Sequence, residues 1–98
     1  MADEDIDAAV EWLASRDVEY ALRWHTELTA AILSLRTQPD RFPMSSDEDL
    51  ERLGVRELPF GRGRNKYRIL FTVTNDTVRV VTVRHASRRP LNVEDLPL

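Results

Sequence analysis

This chain contains no cysteine. Disulfide frameworks, cysteine-bearing zinc sites and thiol nucleophiles are thereby excluded, and a reducing cytoplasm is the natural setting. Histidine is nearly as scarce. His25 and His85 stand far apart, without the spacing of paired metal ligands, so neither a metal nor a cofactor is expected. Only three glycines occur, and the run Gly61-Arg62-Gly63-Arg64 lacks the Gly-Lys-Ser/Thr ending of a phosphate-binding loop. No apolar run approaches the roughly 18 residues that cross a bilayer, and the acidic opening does not read as a secretory signal. Repeats and low-complexity segments are absent as well.

What is present reads as one folded domain over residues 1–98. The chain is 42% hydrophobic and 32% charged, a globular balance. Its net charge of −3 conceals a split. Residues 1–51 hold thirteen Asp/Glu against four Arg, a net of −9, and residues 52–98 hold ten Lys/Arg against four Asp/Glu, a net of +6. The basic half can meet phosphate or an acidic partner, or it can be drawn to the acidic half within the monomer.

Apolar spacing predicts an N-terminal helical hairpin. Ile6, Val10 and Leu13 recur at helical intervals, Ala9 and Trp12 widen the stripe, and Asp3, Glu4, Asp5 and Asp7 crowd the positive end of the helix dipole. Ser15-Arg16-Asp17 interrupts the pattern and offers a cap for a second helix. That helix carries Val18, Ala21, Trp24, Leu28, Ala31 or Ile32, and Leu35, until Pro39 ends it. Both tryptophans are expected in the core, and His25 on the helix surface. Residues 39–54, with Pro39, Pro43 and the acidic run Ser45-Ser46-Asp47-Glu48-Asp49, read as a solvated loop in which Ser46 can cap one helical turn.

After Gly54 the apolar period changes to two. Strands are predicted over Val55–Phe60, Lys66–Thr74 and Thr77–Arg84, with Pro59 placing the first at a sheet edge. A two-residue Asn75-Asp76 turn fixes the register of the last two strands. It puts Tyr67, Ile69, Phe71 and Val73 on one face with Val78, Val80, Thr82 and Arg84. The other face then carries Arg68, Leu70 and Thr72 with Arg79, Val81, Val83 and His85. The first face is expected to receive the helices. The second, half apolar and half basic, is expected either to accept a partner or to be covered by the tail from Pro90 to Leu98.

The segments "LRTQPDRFP", "GVRELPFGRGRNKYRILFTV" and "VRVVTVRHASR" follow the hairpin in an order that resembles the RelE/ParE superfamily of bacterial toxins. These belong to type II toxin–antitoxin, or plasmid-stabilisation, modules, and the likeness runs from about Ala2 to Arg89. It implies an α+β fold, an antiparallel helical hairpin on one face of a small antiparallel sheet. It also implies a cognate antitoxin as partner, with operator DNA met only through that antitoxin, and no membrane. Members usually begin with a strand ahead of the first helix. None is legible here, so the expectation is a sheet one strand short, with an edge open to another chain, or a start upstream of Met1.

The resemblance implies two activities. ParE-like members inhibit DNA gyrase by binding, and RelE-like members cleave translated mRNA without metal. Cleavage needs a base, a cation for the phosphate and an acid. Arg68 matches the arginine of the family's Tyr-Arg-Ile/Leu strand motif, and His85 sits on its face in the predicted register, roughly opposite Lys66. Arg68 and His85 are therefore the catalytic candidates of a RelE-like reading. His85 equally matches the histidine of ParE-like members, and no tyrosine follows Tyr67, which favours the ParE-like reading. Arg56, Arg62, Arg64, Lys66, Arg68, Arg84 and Arg88 are the candidate contacts to target or antitoxin. A third reading is a shortened, inactive member that only binds antitoxin.

Overall fold

Asp17 decides where the helical hairpin turns. Its backbone is extended, and its side chain accepts a hydrogen bond from the Tyr20 N–H, which satisfies a donor that helix geometry leaves unpaired. The computed structural model describes residues 2–88. Helix α1 spans Ala2–Ala14 and α2 spans Val18–Leu33, followed by 3-10 turns at Ser34–Arg36 and Pro39–Arg41. A short helix α3, Glu48–Arg52, precedes strands β1 (Arg56–Phe60), β2 (Tyr67–Thr74) and β3 (Thr77–His85). Among the described residues the strands form one antiparallel sheet in the order β1-β2-β3, so β1 with its Pro59 is an edge strand, as predicted. The fold is α+β, with two N-terminal helices packed on each other and against the sheet. The tail that was considered as a cover, residues 90–98, lies outside the described residues.

The core divides between the two sheet faces. On one, Leu13, Ala21, Trp24 and Leu28 of the helices meet Tyr67, Ile69 and Val83, with Ile6, Ala9, Val10 and Val80 packed around them. The rings of Phe60 and Tyr67 stand edge-on to Trp24, with centroids 5.9 and 5.1 Å away. Two members of the predicted stripes do not join. Trp12 is 52% exposed and Val18 is 60% exposed. Arg16, one helical turn on, stacks over the exposed Trp12 ring at 3.9 Å from the centroid. Val18 opens α2 directly after its cap.

The second face is where expectation and structure part. Residues 39–54 are not a solvated loop. Leu50 of α3 is fully buried with Val55, Leu70 and Val81, so the chain itself covers the apolar half of that face. Backbone hydrogen bonds from Ser45 N–H to the Val55 carbonyl and from Glu57 N–H to the Pro43 carbonyl lay the segment along β1. The helix begins at Glu48 with Asp47 in the cap position, one residue later than the Ser46 cap suggested, and the Asp47 N–H donates to the Ser45 hydroxyl. Gly54, at φ +76, ends it: the Val55 N–H reaches back to the Leu50 carbonyl and the Gly54 N–H to that of Glu51.

The β2–β3 register also differs from the predicted one. It holds from Thr74↔Thr77 to Phe71↔Val80, with Asn75 at φ +55 in the turn. A bulge then intervenes, and Leu70 pairs with Thr82, Ile69 with Val83, Arg68 with Arg84 and Tyr67 with His85. One extra residue reverses which face the following side chains take. Val83 and His85 therefore lie with Tyr67 on the helix side, and Arg84 is the residue opposite Arg68. The physical reason is legible in the strand. Val80 and Val83 both pack on the helix side while Val81 packs with Leu50 and Leu70 on the other, and residues three apart in a strand share a face only across a bulge.

Helix α1 lies beside the outer edge of β3. The Asp5 carboxylate accepts hydrogen bonds from the Thr82 hydroxyl at 2.6 Å and from the Val83 N–H at 3.3 Å. A side chain thus takes a strand-edge donor that a neighbouring strand would otherwise take, which blunts that part of the edge.

Candidate functional site

Two hydrogen bonds stitch the basic segments together. The Ala86 N–H donates to the Lys66 carbonyl at 2.8 Å, and His85 Nε2 lies 2.8 Å from the Arg64 carbonyl oxygen. The β1–β2 connection, with Arg62, Arg64 and Lys66, is thereby held against the end of β3, with Arg84 and Arg88. Gly61 makes the connection possible. Its φ is +99, and a Cβ there would collide with the Asn65 carbonyl, so the chain turns back on itself only without a side chain. Arg62, Arg64, Lys66 and Arg88 are exposed, and among the described residues none has a carboxylate within ion-pair distance.

Arg68 has the opposite surroundings. Its Nη2 donates to Glu57 at 2.8 Å and to Asp47 at 3.0 Å, and its side chain is 11% exposed. The hydroxyls of Ser45 and Ser46 lie farther out, at 3.4 and 3.5 Å. Burial alone lowers the pKa of a guanidinium. Here the hydrogen bonds and charges of Glu57 and Asp47 outweigh burial and raise it above its ordinary value. One guanidinium is thus shared between two carboxylates. Arg56, at the start of β1, lies apart from both groups and donates to the carbonyls of Asp40 and Phe42, pinning the 39–42 turn.

His85 is held at both ring nitrogens. The Ser87 backbone N–H lies 3.1 Å from Nδ1, and because an amide can only donate, Nδ1 accepts. The Ser87 hydroxyl adds a second contact there at 2.7 Å. The Arg64 carbonyl can only accept, so Nε2 carries the proton. The ring also stands edge-on to Tyr67 at 5.1 Å. In the predicted register His85 shared a face with Arg68. The bulge places it instead beside α1, in a groove with Trp12, Tyr67, Arg84 and Arg88, while Arg68 lines a different cleft with Asp47, Glu57, Lys66 and Arg88. Arg88 borders both.

The structure therefore brings Arg64, Lys66, Arg84, His85 and Arg88 together, with Arg62 in the same connection but bordering a pocket with Tyr20, Arg23 and Glu27 of α2. Arg68 borders the same cleft as Lys66 and Arg88 but is bonded to Asp47 and Glu57, and Arg56 lies apart. The residues that the sequence reading missed are the partners: Asp47 and Glu57 for Arg68, Ser87 for His85, and Asp5 for Thr82. Only the Trp12–Arg16 pair carried a signal, a one-turn helical spacing that marks an exposed pair. Among the described residues no group of three or more His, Asp or Glu side chains is placed to hold a metal ion, and no helix is long and apolar enough to cross a membrane.

Compared with known families, residues 1–90 match the family model described as "ParE toxin of type II toxin-antitoxin system, parDE". No curated protein matches the chain.

Proposed function

Since this chain belongs to the ParE toxin family of type II toxin–antitoxin systems, with the cognate antitoxin that membership implies, we propose that it acts on DNA gyrase by binding and performs no chemistry itself. The observation that supports a binding role is the commitment of both candidate catalytic side chains to the fold. Arg68 is shared between two carboxylates, and both nitrogens of His85 are occupied by main-chain partners. A phosphate clamp needs a cation with spare charge, and a general base needs a free lone pair. Neither is offered, and the two side chains lie in different clefts.

The exposed cations at the end of the sheet remain available for a macromolecular contact. Arg62, Arg64, Lys66 and Arg88 supply it without breaking an internal ion pair, and such a contact weakens with salt. The same surface complements an acidic antitoxin segment, whose docking there would exclude the target.

The test is expression without antitoxin, followed by parallel assays of supercoiling by purified gyrase and of mRNA integrity during translation. The expected result is growth arrest, inhibition of supercoiling at near-stoichiometric toxin and intact mRNA. Ribosome-dependent cleavage by the wild-type protein would overturn the gyrase reading in favour of the RelE-like one. A folded protein that binds antitoxin but causes no arrest would leave the shortened, inactive member.

A further inference from the structure

Between α1 and the end of β3 lies an open groove of about 500 Å³, separate from the cleft that contains Arg68. Ala8, Ala9 and Val83 supply its small apolar lining, three rings (Trp12, Tyr67 and His85) border it, and Arg84 and Arg88 add positive charge. We propose that this groove binds a single strand of nucleic acid without sequence preference, with a base against Trp12 and the neighbouring phosphates on Arg88 and Lys66.

Three observations carry the assignment. Trp12 is half exposed on a helix whose other large apolar residues turn inward, and an indole left in water beside a groove is a stacking surface. Arg16 already stacks over one face of that ring, so a base would use the opposite face, with the cation on its far side. Finally, Lys66 and Arg88 border one cleft, and Arg88 also borders the groove, so two exposed cations stand along the path a backbone would follow. The carboxylates of that cleft, Asp47 and Glu57, are both bonded to Arg68. The one carboxylate in the lining, Asp5, is already taken by Thr82 and the Val83 N–H. An acidic peptide would satisfy the cations equally well, but flat rings interleaved with positive charge match bases and phosphates in a way that carboxylates do not. The inference concerns the isolated protein and stands whether or not gyrase is its target.

The experiment is fluorescence anisotropy with a labelled short oligothymidylate and the full chain at low and moderate salt, with a polyglutamate peptide of similar length as competitor. Binding is expected to weaken steeply with salt, and Arg88→Ala is expected to lower the log–log salt slope by about 0.7. Trp12→Ala is expected to weaken binding by about tenfold and to leave that slope unchanged. Circular dichroism checks that each variant is folded, and Trp12→Leu replaces the alanine variant if that one is not. Absence of binding at low salt, or affinity unchanged in the Trp12 variant, would overturn the proposal. Displacement by polyglutamate as effective as by unlabelled oligonucleotide would assign the groove to an acidic peptide instead.

Discussion

Arg68 and Arg88 are the same residue type, border the same cleft and have opposite fates. Arg68 is enclosed between Asp47 and Glu57 on the covered face of the sheet. Arg88, just past the end of β3, is exposed, with no carboxylate partner among the described residues. A buried guanidinium with two carboxylates is a fastener: it ties the α3 segment and β1 to β2 and has little left for a ligand. An exposed guanidinium without a counterion costs the fold almost nothing and keeps its charge for a partner. A count of positive charges treats the two alike. The surroundings separate them.

The sharpest way to break this comparison is to remove each guanidinium in turn. Arg68→Ala leaves two neighbouring carboxylates partly buried and without their cation, so a loss of about 3–5 kcal/mol in urea unfolding is expected. Arg88→Ala is expected to change stability by less than about 0.5 kcal/mol. Similar values for both would remove the distinction. A second cut addresses the cover over Arg68. Leu50→Ala empties a fully buried position between α3 and the sheet and is expected to cost about 2–4 kcal/mol. A smaller loss would mean that the ion pairs, and not the apolar contact, hold α3 down.

A third prediction concerns the sheet edge. Asp5→Ala removes the acceptor for the Thr82 hydroxyl and the Val83 N–H, and a loss of about 1–3 kcal/mol is expected, together with faster amide exchange at Val83. The smallest effect is expected from pH. Burial first, and the nearby Tyr20 second, raise the Tyr67 pKa above its ordinary value. The neutral phenol is then favoured in the folded state. Its contribution is complete below the unfolded pKa of about 10 and is lost as pH rises above that towards the folded value. Tyr67→Phe should flatten the fall in stability on the alkaline side, as chemical unfolding at stepped pH would record. An unchanged slope would show that Tyr67 is not the group responsible.

Much of the architecture was legible before any coordinates. Local rules govern it: Asp17 caps α2, Pro59 marks an edge and Asn75-Asp76 turns a hairpin. Each depends on the residue and its immediate neighbours. The expected stop at Pro39 is the exception, since α2 itself ends at Leu33 and Pro39 opens a 3-10 turn. The candidate site was legible only as a set of charges. The pairing of Arg68 with Asp47 and Glu57 spans 21 and 11 positions, and no helical or strand period links residues at those separations. The face of His85 was misread for a related reason. A strand period runs on until something breaks it, and the bulge between the Phe71↔Val80 and Leu70↔Thr82 pairs overrides the simple count from the turn.

The sequence by itself determined the class of fold, the order of its elements, the acidic and basic halves and, through three short segments, the family. These follow from local backbone preferences and apolar periodicity, which the chain carries wherever it goes. Only the tertiary structure decided which cations are spent and which are free. That depends on the distance between charges brought together by folding, and on whether water or protein fills the space between them. The bulge in β3 and the seating of α3 set those distances. They turn Arg68 into a fastener and leave Arg62, Arg64, Lys66 and Arg88 as the charged end of the molecule.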